Sequence, residues 1–362
     1  MALDRVTLAD FRNHRDTCID GTAKFNLLVG ENGAGKTNVL EAISLLSPGR
    51  GLRRARLEDM AASEGSGGFA VSARLKGAGD PVHVGTGIDA ARPGKRRVQV
   101  NGAAQPAVRL SEWLSVGWLT PAMDRLFVES PGARRRFLDR LVLALDPAHA
   151  RRASRLDNAL RERNRLLTGP SSPEPAWLDA IEMQIAEKGA EVAQARGQTI
   201  TLLDEALTAL PEAPFARPAL AYQPGGPLAR EELATALLAS RQRDLAAQRT
   251  LIGPHRDELA VTMAGKGQPA AECSTGEQKA MLIAMVLAHS QLLESAGEAR
   301  PRILLLDEVA AHLDPVRREA LFDRLREGSA QVWLTGTEIV PFAAIREEAA
   351  VWEIRKGGAQ RV

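Results

Sequence analysis

Between Lys24 and Ala42 the chain reads KFNLLVGENGAGKTNVLEA, and this stretch restricts the fold more tightly than any other. Phe25–Val29 has the apolar content of a buried strand. It stops at Gly30-Glu31-Asn32-Gly33-Ala34-Gly35-Lys36-Thr37, which fits the pattern GxxxxGK[ST], and helical spacing follows over Asn38–Leu46. The glycines let the backbone curl so that successive N–H groups turn inward, and the helix that begins there adds its free N–H groups and positive dipole end. Such a loop receives a triphosphate, with Lys36 reaching the β- and γ-phosphates and the Thr37 hydroxyl holding Mg2+. An ordinary glycine-rich turn is the competing reading, and the legible strand and helix on either side favour the phosphate loop. The expected nucleotide-binding residues here are Gly30 through Asn38.

A matching second half lies far downstream. Ile303–Leu306 is a continuous apolar run followed by Asp307 and Glu308, so a buried strand delivers two adjacent carboxylates at its C-terminal edge, where ligands bind in parallel sheets. Asp307 is expected to bind Mg2+ through its water shell and Glu308 to polarise an attacking water as general base. Lys36, Asp307 and Glu308 are therefore the expected catalytic residues, and Thr37 and Asp307 the metal-binding ones. Upstream, Ser274-Thr275-Gly276-Glu277-Gln278-Lys279 precedes an almost wholly apolar segment, Ala280–Ala288, that reads as a buried helix. Ser274 with Glu277 is a capping box; the same helix start, with Gly276 at its third position, is a γ-phosphate receptor, and both readings hold together. Signature, carboxylate strand and then Ala311-His312-Leu313-Asp314 is the order of ATP-binding-cassette ATPases.

The 362 residues suffice for two or three domains, and 44% hydrophobic with 25% charged residues is an ordinary soluble composition. No run approaches a membrane span and the first residues lack the features of a leader, so a cytoplasmic protein with no membrane partner is expected. Cys18 and Cys273 are too few for a disulfide framework, and no structural metal is expected. A net charge of +2 does not by itself argue for nucleic acid. Its distribution says more: from Asp124 to Arg165 there are eleven arginines against six acids. That run either tracks phosphates or is a solvated face, and the charges alone do not choose.

Along the chain, Val6–Leu8 and Thr17–Ile19 read as strands around a polar turn. Phe69–Lys76, Val82–Ile88 and Arg96–Val100 alternate in the manner of a small antiparallel sheet placed after the phosphate loop, with Asn101-Gly102 as a hairpin turn. Ser47–Gly51, followed by Arg53, Arg54 and Arg56, reads as a basic loop. Helical faces follow through Phe137–Leu145, Leu156–Leu167 and, after a Pro-rich linker at Gly169–Pro175, through Trp177–Leu210, an arm longer than most globular helices. Glu231–Ala247 is again helical, Glu258–Met263 has β character, and Gln331–Leu334 is a further strand. The expected fold is α/β: an ABC-type P-loop ATPase head with an antiparallel β subdomain and an inserted helical arm. Its domains are 1–122 (N-terminal half of the head), 123–250 (arm) and 251–362 (C-terminal half).

Beyond the superfamily motifs, LADFRNH near the start, WLTPAMDRLFVESPGARRRFLDRL, GPHRDEL at Gly253–Leu259, STGEQK, LLLDEVAAHLD and LTGTE at Leu334–Glu338 together resemble the RecF family, recombination and gap-repair ATPases related to SMC and Rad50 heads. The resemblance implies ATP and Mg2+ as ligands and a homodimer formed on ATP binding, with Lys36 and Thr37 from one subunit and Ser274, Gly276 and Gln278 from the other. It also implies that Arg12 and Asn13 lie beside the nucleotide and that Asp314 lies near the opposing site. Single-stranded, gapped and double-stranded DNA and the protein RecR are the implied partners, with recombinase loading as the outcome. Two departures from the wider cassette pattern stand out: no glutamine at Trp118–Pro121, and Thr335-Gly336-Thr337 where transporters place a switch histidine. Slow, DNA-stimulated hydrolysis is therefore expected. A transporter ATPase subunit is the alternative, disfavoured by these departures and by the long helical insertion; a small-molecule P-loop kinase would leave the signature helix without a purpose. The sequence leaves His255-Arg256-Asp257 open between a turn and a ligand contact, and Arg134, Arg135, Arg136 and Arg140 open between phosphate contact and solvation.

Overall fold

The chain begins with the antiparallel pair β1 (Ala2–Phe11) and β2 (His14–Asp20), then β3 (Phe25–Val29) and helix α1 (Lys36–Ser44). Strands β4 (Phe69–Lys76), β5 (Val82–Asp89), β6 (Arg92–Val100), β7 (Ala103–Ala104) and β8 (Ser115–Leu119) lead to helices α2 (Pro131–Leu145), α3 (His149–Leu167) and α4 (Pro175–Thr208). Next come β9 (Pro218–Gln223), α5 (Arg230–Ala247), β10 (Glu258–Met263), β11 (Gln268–Pro269) and α6 (Thr275–Ser295). The last elements are β12 (Arg302–Leu306), α7 (Pro315–Glu327), β13 (Gln331–Gly336), β14 (Ala349–Arg355) and β15 (Gly358–Arg361). This computed structural model describes residues 2–76, 79–169, 173–211, 213–296 and 300–362, so residues 170–172 of the expected linker lie outside the described residues. Two units result: residues up to Asp124 with Leu293–Val362, and Arg125–Leu292.

The first unit contains two six-stranded sheets. One is antiparallel, in the order β2-β1-β4-β5-β6-β7. In β4 the side chains of Phe69, Val71, Ala73 and Leu75 are buried while Ala70, Ser72 and Lys76 are exposed and Arg74 is intermediate, the period-2 pattern of a half-covered strand. β1 and β2 run well past the expected Val6–Leu8 and Thr17–Ile19, and β1 pairs with β4 (Val6 opposite Ala73), so this sheet begins at the N-terminus rather than after the phosphate loop. The other sheet runs β15-β14-β3-β13-β12-β8, parallel from β14 to β8 with β15 antiparallel at its edge. All five residues of β3 and all six of β13 are buried, as in strands covered on both faces, and the polar side chains among them, Asn26, Gln331 and Thr335, are hydrogen-bonded. Val39, Leu40, Ala42 and Ile43 of α1 join Phe11, Leu28, Trp333 and Trp352 in one core.

The second unit is built on α4, a single unbroken helix of 34 residues, roughly 50 Å at 1.5 Å per residue. Ile185, Ala186 and Val192 of α4 pack with Leu156 and Leu160 of α3 and Leu233 and Leu237 of α5. Gly189 permits this approach: a Cβ there meets Leu233 at 3.0 Å and Pro254 at 3.2 Å. β9, β10 and β11 form a small antiparallel sheet. On α6, His289 Nε2 donates to the Leu141 carbonyl of α2 at 3.0 Å, and burial pushes the imidazole down to about 4.

The division at Asp124 falls two residues from the expected boundary. Residues 251–292, expected with the C-terminal half of the head, instead belong to the second unit, since β10 pairs with β9 and α6 is tied to α2. Strands β9, β14 and β15 and helix α7 also go beyond the sequence reading; α7 buries only Leu321, Phe322 and Leu325, too narrow a stripe to stand out among its charges.

Candidate functional site: a phosphate loop facing paired carboxylates

The loop Gly30–Thr37 leaves the C-terminal end of β3 and enters α1 directly, with Gly35 as the N-cap residue. Gly30, Gly33 and Gly35 all have positive φ, at 153°, 80° and 116°. Gly35 could not be another residue, since a Cβ there meets the side chains of Asn13 and His14 at 2.7 Å; Gly33 faces open space with nothing within 4 Å. Lys36 is buried, and its Nζ donates to the carbonyls of Gly30 (2.6 Å) and Glu31 (2.8 Å), which hold the ammonium over the loop. Burial lowers its pKa, against the opposing pull of Glu308 and Asp307.

Thr37, the first side chain past that lysine, reaches across the sheet. Its hydroxyl lies 2.9 Å and 3.1 Å from the two carboxylate oxygens of Asp307, a residue 270 positions away. Asp307 is buried at the end of β12, and its own N–H donates to the Leu119 carbonyl of β8 at 2.9 Å. Glu308 follows in a left-handed conformation, φ 54°, uncommon for a residue with a side chain. The two expected halves of the site thus meet. A hydroxyl beside a carboxylate is a hard-oxygen donor pair suited to Mg2+, which takes one or two protein ligands and leaves its other positions to water and phosphate.

The early motif supports the loop from below. Asn13 donates to the Ala34 carbonyl (2.9 Å) and accepts from the Asn38 amide (2.7 Å). His14, fully buried, contacts the Gly35 carbonyl through Nε2 at 3.1 Å. Arg12 is committed within the chain: its guanidinium forms a two-pronged pair with Glu41 (3.0 and 2.8 Å) and donates to the Asp59 carbonyl (2.7 Å). Glu41 is fully buried and also accepts from Arg53 at 2.9 Å. The motifs assign no role to Glu41 or His14, although a lone carboxylate inside the apolar run Val39–Ile43 is the signal that points to Glu41.

In the second unit the capping box is made as expected. Ser274 N and Oγ both donate to Glu277 Oε2 at 2.9 Å, and Glu277 N donates back to Ser274 Oγ at 3.3 Å. Lys266, then the Ser274 N–H and hydroxyl, hold the Glu277 carboxyl down to about 2. Ser274 and Gly276 are exposed, and a Cβ on Gly276 meets nothing within 4 Å, so the helix start is open. Gln278 differs: it is buried and its amide donates to the Cys273 carbonyl at 2.8 Å, so it holds the turn instead of facing outward. Asp314 is exposed and caps α7, accepting from Arg317 N at 3.0 Å.

The remaining open motifs divide clearly. Asp257 is buried, accepting from Arg196 (2.9 Å), Gly225 N (2.8 Å) and the Tyr222 hydroxyl, and His255 Nε2 donates to the Thr250 carbonyl at 2.9 Å; only Arg256 is exposed. The turn reading therefore holds for two of the three residues. Arg134 pairs with Glu258 at 2.7 Å and Arg135 donates to the Asp257 carbonyl at 2.8 Å, so both tie α2 to β10; Arg136 is exposed.

A glycine-rich phosphate loop and a carboxylate pair at the C-terminal edge of a parallel sheet, with an antiparallel sheet in the same unit and a helical insertion, define an ABC-type P-loop ATPase head. Residues 2–353 match the RecF/RecN/SMC N terminal domain family. The chain is 46% identical to the DNA replication and repair protein RecF of Mesorhizobium japonicum, over 98% of this chain and 96% of that one, and 45% identical to its namesake in Rhizobium rhizogenes, over 98% and 97%. A solved structure of "the recombination mediator protein RecF-ATP in RecFOR pathway" superposes with a TM-score of 0.87 at 24% identity, covering 100% of this chain and 97% of the other. The Smc head domain of Pyrococcus furiosus shares the fold more distantly, with a TM-score of 0.55 at 17% identity over 100% and 96%. The chain belongs to the RecF family.

Proposed function

We propose that the protein is an ATP-gated DNA-binding dimer of recombinational repair, in which ATP is enclosed between the phosphate loop of one copy and the signature of another, and slow hydrolysis releases the grip. The observation that carries this reading is the contact of Thr37 with Asp307, which assembles the metal-and-phosphate half of a site from opposite ends of the chain. In this reading Gly30–Asn38 wrap the phosphates and Lys36 exchanges the Gly30 and Glu31 carbonyls for phosphate oxygens. Thr37 and Asp307 would hold Mg2+, which would supply neutralisation of phosphate charge. Glu308 takes the proton of the attacking water. Ser274 and Gly276, exposed at the start of α6, supply the second wall. The curated relatives are named for DNA replication and repair, and a RecF of known structure is called a recombination mediator in the RecFOR pathway; DNA, RecR and recombinase loading are proposed on that ground. No helix among the described residues is long and apolar enough to cross a membrane.

Sedimentation tests the shared site directly. Wild type should form an ATP-dependent dimer, while Lys36→Ala and Ser274→Arg copies should each hydrolyse almost nothing alone. An equal mixture should recover about a quarter of the wild-type activity, because half of the two-fold dimers formed at random are mixed and each mixed dimer keeps one complete pocket of two. A mixture with no recovered activity, beside a monomeric wild type that hydrolyses ATP, sinks the dimer reading.

The DNA surface is best sought on α3. Of the arginine run, Arg163 is buried and Arg134 and Arg135 tie α2 to β10, whereas Arg151, Arg155, Arg161 and Arg165 stand exposed on α3. Their spacing of four, six and four residues keeps them toward one side of the helix. Replacing Arg155, Arg161 and Arg165 together with glutamine should flatten the dependence of log affinity on log salt by about 0.9 per lost phosphate contact, roughly 2 to 3 in all. An unchanged slope excludes this face.

A further inference from the structure

Strand β13 lies between β3, which carries the phosphate loop, and β12, which ends in the two carboxylates. A residue at its C-terminal end therefore lies beside Asp307, and that residue is Thr335, 1% exposed. Its hydroxyl is bonded on both sides. The Glu308 N–H donates to Thr335 Oγ1 at 2.9 Å, and Thr335 Oγ1 lies 2.8 Å from Asp307 Oδ1. An N–H can only donate, so the Thr335 oxygen accepts there and its single proton is left for Asp307. The direction of both bonds is fixed by this one amide.

From this geometry we infer that Thr335 is a positioning residue for the hydrolytic site: one hydroxyl sets the aim of both carboxylates. This rests on the ATPase reading above. Asp307 Oδ1 is approached by two hydroxyls, Thr37 from the loop and Thr335 from within the sheet. Thr37 belongs to a glycine-rich loop that must adjust to phosphate, whereas Thr335 belongs to a fully buried strand. Thr335 thus holds the carboxylate in one rotamer while Thr37 is free to turn toward a metal. The same hydroxyl anchors the amide of Glu308, whose left-handed backbone requires support from its surroundings. Thr335 touches neither nucleotide nor water in this scheme and acts only through Asp307 and Glu308. The positions after it are closed to the same role, since a Cβ on Gly336 meets the Phe342 ring at 2.4 Å and Thr337 beyond it is exposed.

The test compares Thr335→Val, which keeps the shape and loses the hydroxyl, with Thr335→Ser, which keeps the hydroxyl. Two quantities are read in the full-length protein: kcat and KM for ATP, and the Mg2+ concentration that half-saturates the tightening of a fluorescent ATP analogue. Thr335→Val should lower kcat about 10- to 100-fold with KM within twofold, the scale of lost hydrogen bonds to charged groups. It should also raise the Mg2+ midpoint several-fold, while affinity for the analogue in EDTA stays unchanged. Thr335→Ser should restore both quantities to within about threefold of wild type. If the valine variant does not fold, Thr335→Ala removes the hydroxyl without added bulk and is read the same way. A valine or alanine variant with wild-type kcat and Mg2+ midpoint overturns the inference, as does a serine variant as impaired as valine. A wild type with no Mg2+-dependent nucleotide binding and no hydrolysis overturns the ATPase reading, and this inference with it.

Discussion

Arg163→Ala is expected to cost the helical unit about 3–5 kcal/mol of unfolding free energy, the range found when one member of a buried ion pair is removed. The guanidinium is fully buried, with Nε and Nη2 donating to Glu182 Oε1 (3.0 and 2.9 Å) and Nη1 donating to Asp244 Oδ2 (2.7 Å) and Thr250 Oγ1 (2.9 Å). It thereby joins α3, α4, α5 and the segment before Gly253. Its two carboxylates do not suffer equally. Glu182 keeps a second cation, since Arg241 donates to both of its oxygens. Asp244 keeps the Ser240 hydroxyl and the Leu251 N–H, which solvate a charge without neutralising it. Most of the cost therefore falls on Asp244, and a second change there separates the terms. Asp244→Asn in the Arg163→Ala background should recover a third or more of the loss by removing the stranded charge. Urea unfolding followed by the helical signal measures both. A single variant within 1 kcal/mol of wild type means that the helices hold without the network.

That network also marks the limit of what the residues disclose in order. The phosphate loop is legible because its chemistry is local: three glycines, a lysine and a threonine in eight positions, between a strand and a helix that declare themselves by period. The carboxylate strand is legible for the same reason. The arginine run from Asp124 to Arg165 is not, because a solvated arginine and a structural one look alike until the partner is known, and Arg134 finds Glu258 at a separation of 124 residues. In the sequence Thr335 stands out only as the absence of a switch histidine. Its positive role depends on strand order, which places β13 between the loop that carries Thr37 and the strand that ends at Asp307, 270 positions apart. The second domain boundary is hidden on similar grounds. The start of α6 reads in sequence as part of the nucleotide site, which groups it with the head, whereas the contact of His289 with α2 places it with the arm.

Glu308→Gln should separate binding from chemistry by the widest margin of any change in the site. The substitution preserves shape and removes the basic oxygen, so kcat for ATP should fall about 10²- to 10⁴-fold, the range attributed to a positioned general base. Nucleotide affinity should hold or rise slightly, because one negative charge near the phosphates is gone. With hydrolysis blocked, the ATP-dependent dimer should persist in sedimentation for as long as nucleotide lasts. Asp307→Asn is the informative contrast. Thr37 and Thr335 both present their hydroxyls to Asp307 Oδ1, and an amide keeps an acceptor there but lacks the negative charge that a hard cation needs, so this variant should lose Mg2+-dependent affinity as well as rate. Two neighbouring carboxylates would then show different signatures, one confined to kcat and the other extending to metal-dependent binding. If Glu308→Gln hydrolyses ATP within threefold of wild type, or its dimer dissociates as fast, the proton is taken elsewhere, and the left-handed turn at Glu308 must be explained by the support it gives to Asp307.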